Sequence, residues 1–286
     1  VNRNVSLKHN NFTAFLAKSY FNLKIRRLEK IIFTATTGRS GTLTLTNVFS
    51  SIADCKALHE PYPRMSGAVL TAASFGNMEY VDRVYRQIKA VHIRRAAAGY
   101  KYYVETSHLF IKTFALQALS DFGIKLNVIH LVRPPLQVAM SIYRLQDQPG
   151  TQRGNQMWLD YRAPSNLIGI ADILEADAEF SHPFYKALWY WFEVEARIAA
   201  YKERFPSVPF VRFETDWVND KKRVFGLLND LSMDFDESAV GATVGARANA
   251  REHHKKMGPL DEEKAASMLK RFKTLLNEKG FARPSI

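Results

Sequence analysis

The chain has 286 residues, 47% of them hydrophobic, and a formal charge of +12. That is enough apolar material for one large core, and the charge favours anionic partners: nucleic acid, acidic polysaccharide, anionic lipid head groups or a phosphorylated small molecule. The single cysteine, Cys55, excludes an internal disulfide framework and a cysteine-based zinc site and fits a reducing, cytoplasmic setting.

The first readable segment, residues 12–30, is amphipathic and basic. It predicts an N-terminal helical extension over 1–29 that docks on the domain or touches a membrane surface peripherally. A buried strand is expected over 30–36. It runs into Thr37-Gly38-Arg39-Ser40-Gly41-Thr42, and then into the apolar spacing of a helix over 42–53. Strand, glycine turn and helix make a phosphate cradle, because N–H groups at a helix N-terminus point at an anion. A Walker A loop is longer between its glycines and carries Lys directly after the second. Here only Arg39 and Ser40 separate Gly38 from Gly41, and Thr42 follows. The turn suits one terminal phosphate, met by backbone N–H groups and the hydroxyls of Ser40 and Thr42. Arg39 can reach a second anionic group.

Further along, "HEPYP" (59–63) carries Glu60. Helix periodicity covers 78–97 and 109–121, with a strand at 102–105 between them. "VETSH" closes that strand with Glu105 and His108. A third strand over 125–132 ends on Arg133. Pro134-Pro135 then open a helix over 135–146, and Ser141 lies in its early turns. A guanidinium at a strand end and a hydroxyl from the next helix can converge on one phosphate. Residues 147–168 look like a long loop. Helices are expected at 183–204, 217–231 and 259–279, with a strand at 209–213. Residues 239–258 carry three glycines and a basic run, and look like a second functional loop. The aromatic run Trp189 to Phe192 predicts core packing. Strands alternating with helices predict a single α/β domain: a central, mostly parallel sheet flanked by helices, with a P-loop-like turn after the first strand. Ligands in such sheets sit beyond the carboxyl ends of the strands, where the polar clusters 37–42, 105–108 and 133–141 all fall.

Taken together, the 37–42 loop, Arg133 and Ser141 resemble the family of sulfotransferases that use 3′-phosphoadenosine 5′-phosphosulfate (PAPS). The resemblance is good over about residues 30–145 and loose over 205–235. It implies that Thr37, Gly38, Arg39, Ser40, Gly41 and Thr42 hold the 5′-phosphosulfate, and that Arg133 and Ser141 hold the 3′-phosphate. The family's C-terminal basic loop is only approximated, with Arg247 and Arg251 as its candidates. The implied reaction leaves adenosine 3′,5′-bisphosphate and requires no divalent metal. Arg39 stands where the family places a cation near the bridging oxygen. The base candidates are Glu60, His108 and Glu105, in that order; "EPYP" resembles the EP motif of carbohydrate and bacterial glycolipid sulfotransferases. The implied acceptor is a carbohydrate or glycolipid, one already anionic fitting the charge best, and not nucleic acid. Two other readings stand beside it: a nucleotide or small-molecule kinase with an atypical phosphate loop, and a non-catalytic binder of an anionic polymer.

Overall fold

The computed structural model describes residues 25–245 and 260–281. Five parallel strands form the sheet: β1 (Lys30–Ala35), β2 (Cys55–His59), β3 (Tyr102–Thr106), β4 (Leu126–Val132) and β5 (Phe210–Glu214), in spatial order β2-β3-β1-β4-β5. Successive strand residues face opposite ways. Ile31, Phe33 and Ala35 therefore enter one apolar layer and Ile32 the other. Each face is closed by helices, so an α/β sheet with helices on both sides is what the alternation predicted.

Seven helices position the site. Helix α1 (Thr42–Ser50) packs Leu45, Val48 and Phe49 beneath one face, beside α6 (Lys221–Asp230). The other face carries α2, α3, α4 (Pro135–Leu145), α5 (Pro183–Arg204) and α7 (Glu262–Glu278). Helix α2 is continuous from Met78–Val84 through a π-helical turn, Tyr85–Lys89, into Ala90–Ala97. Helix α3 likewise begins with a π-helical turn, Phe110–Phe114, and continues as Ala115–Phe122. Each π turn carries a buried lysine, Lys89 and Lys112.

Sequence expectation and structure part in a few places. Strand β2 is not among the expected strands. It is an edge strand whose residues after Cys55 are only partly buried, so it lacks the apolar run that marks β1 and β4. Two short helices, Ala68–Ser74 and Ala171–Ala176, are also unanticipated, and Gly154–Met157 gives the 147–168 loop one turn of helix. The N-terminal part of the 239–258 segment is helical, Glu237–Thr243. Residues 1–24, Arg247 and Arg251 lie outside the described residues.

The order of connections places the site. From β1 the chain crosses toward β2, and from β4 it crosses toward β5. The carboxyl ends of β1 and β4 thus border the crevice where crossovers diverge, the usual ligand position in open α/β sheets.

Candidate functional site

The turn after β1 is held in a conformation that few sequences tolerate. Gly38, Arg39 and Gly41 have φ of 84°, 56° and 72°. A side chain at Gly38 would also meet His108 Cγ and Trp158 Cζ3, each at 3.1 Å. Glycine is required there by backbone and by space. The hydroxyls of Thr37 and Ser40 both reach the Gly38 carbonyl, at 3.0 and 2.9 Å. Ser40, expected to face an anion, thus turns its hydroxyl inward and shapes the loop; its backbone N–H is what remains for a ligand. Thr42 opens α1, behind the left-handed Gly41, and no side chain caps this helix or places an acid in its first turn.

Arg133 and Ser141 do converge on the loop. The Arg133 guanidinium donates to the Arg39 carbonyl and, at 3.0 Å, to Gln137 Oε1. Arg39 Nε donates to Ser141 Oγ at 2.9 Å. Burial pulls both guanidinium pKa values down; the Arg39 charge lowers Arg133 further, while Asp147 and Asp216 work the other way on Arg39 and Arg133 respectively. Two cations and a helix N-terminus therefore share one crevice, an arrangement that an anion relieves.

Two supports of this crevice escape a reading of motifs. Thr215 Oγ1 lies 3.0 Å from the Ser40 carbonyl and 3.1 Å from that of Val132, joining the ends of β1, β4 and β5. Trp191 Nε1 donates to the Arg133 carbonyl at 2.8 Å. The aromatic run on α5 is core, as expected, yet Tyr190 and Trp191 spend their polar atoms on the site's backbone. Only the amphipathic nature of Tyr and Trp hinted at this.

Beyond the loop lies a second cluster. Glu60 (φ 43°) follows β2, and its Oε1 is 3.3 Å from His108 Nε2. Lys112 Nζ is 2.5 Å from His108 Nδ1 and donates to Tyr190 Oη at 2.7 Å and the Met157 carbonyl at 3.3 Å. Tyr190 Oη donates in turn to the Thr37 carbonyl. Burial, then the charge of Lys112, holds the His108 pKa well below the ordinary histidine value. The 3.3 Å approach of Glu60 and His108 lacks hydrogen-bond alignment, and His108 Nε2 is buried with no such bond. Glu105 stands apart. It is fully buried, paired to Lys89 Nζ at 2.7 Å and accepting from Tyr103 Oη at 2.8 Å. Burial raises its pKa, and the opposing charge of Lys89 resists that rise. Its partners are Lys89 and Tyr103, not the loop.

Among the described residues no group of three or more His, Cys, Asp or Glu side chains could hold a metal ion. No helix among them is long and apolar enough to cross a membrane.

No protein-family model and no curated protein matches the chain. Its fold is similar to that of solved sulfotransferase domains. One, from the curacin biosynthetic pathway, is 16% identical, with 88% of this chain and 98% of that chain covered and a TM-score of 0.47. Another, from the Synechococcus PCC 7002 olefin synthase, is 14% identical, with 85% and 94% covered and a TM-score of 0.48. A sulfotransferase from Alicyclobacillus acidocaldarius is 14% identical, with 86% and 95% covered and a TM-score of 0.42. These are likenesses in fold.

Proposed function

We propose that the chain is a sulfotransferase that moves a sulfuryl group from PAPS to an acceptor hydroxyl. The observation that carries the reading is the meeting of Arg39, Arg133 and the uncapped N-terminus of α1 at the carboxyl ends of β1 and β4. Two guanidinium groups this close, both depressed by burial, fit a ligand with two separate anionic groups. The 37–42 loop is the seat for the 5′-phosphosulfate; Arg133 and Ser141 are the seat for the 3′-phosphate. Arg247 and Arg251 keep their place as further candidates from the sequence.

In the transfer, the acceptor oxygen bonds to sulfur as its proton passes to a base in the Glu60–His108 cluster. The bond between sulfur and the 5′-phosphate oxygen breaks, and that oxygen keeps the electron pair. Arg39 is placed to offset the charge that builds there, a contribution that commonly dominates such catalysis. A carbohydrate or glycolipid, itself anionic, is the acceptor class that the charge of +12 fits.

Titration tests the donor site directly. Adenosine 3′,5′-bisphosphate is expected to bind far more tightly than AMP. Arg133→Ala should weaken the bisphosphate by about 10- to 100-fold, the worth of a charge-assisted hydrogen bond of about 1.5–3 kcal/mol, and leave AMP nearly unchanged. Equal losses for both ligands would assign Arg133 to loop structure alone. Turnover is further expected to survive EDTA. Strict dependence on Mg²⁺, measured by add-back to the chelated enzyme, would favour a phosphoryl-transfer enzyme instead.

A further inference from the structure

The groups around His108 determine where its proton sits. From the turn before α3, the ring faces Lys112 on that helix and Glu60 at the end of β2. Gly38 backs it, and Trp158 lies 5.0 Å away, centroid to centroid. The charges of His59 and Arg64 also reach it. Tyr190 has one hydroxyl proton, and it goes to the Thr37 carbonyl. Tyr190 Oη must then accept from Lys112, as must the Met157 carbonyl, which has no proton to give. Two N–H groups of Lys112 are thereby used. The third neighbour, His108 Nδ1, either accepts a third N–H from an ammonium or donates to the lone pair of a neutral amine.

Glu60 separates these two cases. With Nδ1 protonated, an unprotonated, electron-rich Nε2 would stand 3.3 Å from Glu60 Oε1, two negative atoms side by side. With Nδ1 bare, the Nε2 hydrogen puts positive charge beside the carboxylate. Burial presses the Lys112 pKa well below the ordinary lysine value; the charge of Glu60 opposes that, and the faces of Trp158 and Tyr190, 5.4 and 5.1 Å from Nζ, favour the ammonium as well.

We propose that Lys112 is a positioning residue that locks His108 as the Nε2–H tautomer, keeps that proton beside the Glu60 carboxylate, and so leaves Glu60 as the base. With Nδ1 filled by Lys112 and Nε2 protonated, His108 has no lone pair to offer an acceptor hydroxyl. Its role is to keep the positive edge of the ring beside the Glu60 carboxylate. Through Tyr190 the same lysine is tied to the backbone of the phosphate loop, so the two halves of the site share one scaffold. The assignment of the base rests on the transfer reading above; the tautomer does not.

The experiment is therefore done on the resting 286-residue chain, with neither donor nor acceptor. Histidines labelled with ¹⁵N and ¹³C are observed by NMR near neutral pH, and His108 is assigned by its disappearance in His108→Gln. The expected spectrum has a non-protonated Nδ1 and a protonated Nε2. Lys112→Met, close in shape, is expected to admit the Nδ1–H form. It should also lower kcat by about 10-fold or more, a larger factor than its effect on bisphosphate binding. A protonated Nδ1 in the wild-type protein overturns the proposal, as does a Lys112→Met protein with an unaltered tautomer. If Lys112→Met does not fold, the wild-type spectrum alone decides. If the protein shows the expected tautomer yet transfers no sulfuryl group, the transfer reading fails and the positioning by Lys112 stands.

Discussion

Glu60→Gln is expected to lower turnover by about 10²- to 10⁴-fold, the usual cost of losing a general base, with bisphosphate binding intact. The amide keeps the shape of the side chain and its reach to His108, and removes the basicity. Glu60 suits the task because it stands at the end of β2 with 16% of its side chain exposed, whereas His108 is 3% exposed and engaged on its Nδ1. His108→Gln should therefore cost less than Glu60→Gln, because it loosens the base without deleting it. Steady-state rates at saturating donor check this. If Glu60→Gln retained most activity while His108→Gln abolished it in a folded protein, the histidine would be the base.

The second large effect concerns stability. Lys89→Met should destabilise the fold by about 3–5 kcal/mol near neutral pH, because it strands the fully buried carboxylate of Glu105. The loss carries a pH signature whose sign follows from linkage. Burial already raises the Glu105 pKa, and Lys89 is the largest influence opposing that rise. Without Lys89 the folded variant holds the Glu105 proton to higher pH than the unfolded chain does. The folded state then binds more protons between the two pKa values, and stability falls as pH rises through that window. The deficit against wild type should shrink as the pH is lowered toward the ordinary carboxylate range. Denaturant unfolding at acid and neutral pH measures it. An equal deficit at both would mean that lost packing, not the stranded charge, is responsible.

Much of this architecture could be read in the residues. Strands β1 and β4 are rich in consecutive apolar residues, Ile31-Ile32-Phe33 in one and Val128-Ile129 and Leu131-Val132 in the other, because both faces of the sheet are covered, and such runs survive inspection without context. Helix α5 was expected over the span it occupies, since Pro183 opens it and its apolar face persists for six turns' worth of chain. The crevice was legible wherever chemistry sits in the loop itself: the positive-φ glycines, Arg39, and Arg133 at a strand end. Lys112, Tyr190 and Thr215 were not. Each lies in a segment whose local pattern says only helix or turn, and each matters through contacts more than 70 residues away in sequence: Lys112 to Tyr190, Tyr190 to Thr37 and Thr215 to Ser40. Glu105 shows the converse. Its place at a strand end made it a candidate base, but its partners, Lys89 on α2 and Tyr103 two residues back, could be seen only once the chain was folded.

The π turns of α2 and α3 have a consequence for anyone aligning or shortening this chain. Each inserts a residue that an α-helix would not hold in the same turn; in α2, which has α-helix on both sides, the sequence period beyond the turn is therefore offset by one residue from that before. In α2 the buried positions run from Val81 to Tyr85, then to the adjacent pair Lys89 and Ala90 that closes the π turn, and on to Ile93, Arg94 and Ala97. Removing a single residue from either turn would let it relax to the α form. The flanks would keep their present facing, because a π turn spreads one extra residue over nearly the same rotation; the same deletion in the α part would rotate one side by about 100° relative to the other. A one-residue gap at Tyr85–Lys89 or Phe110–Phe114 would thus be absorbed within the turn, at the buried lysine it carries, while the same gap elsewhere in the helix would turn one whole flank.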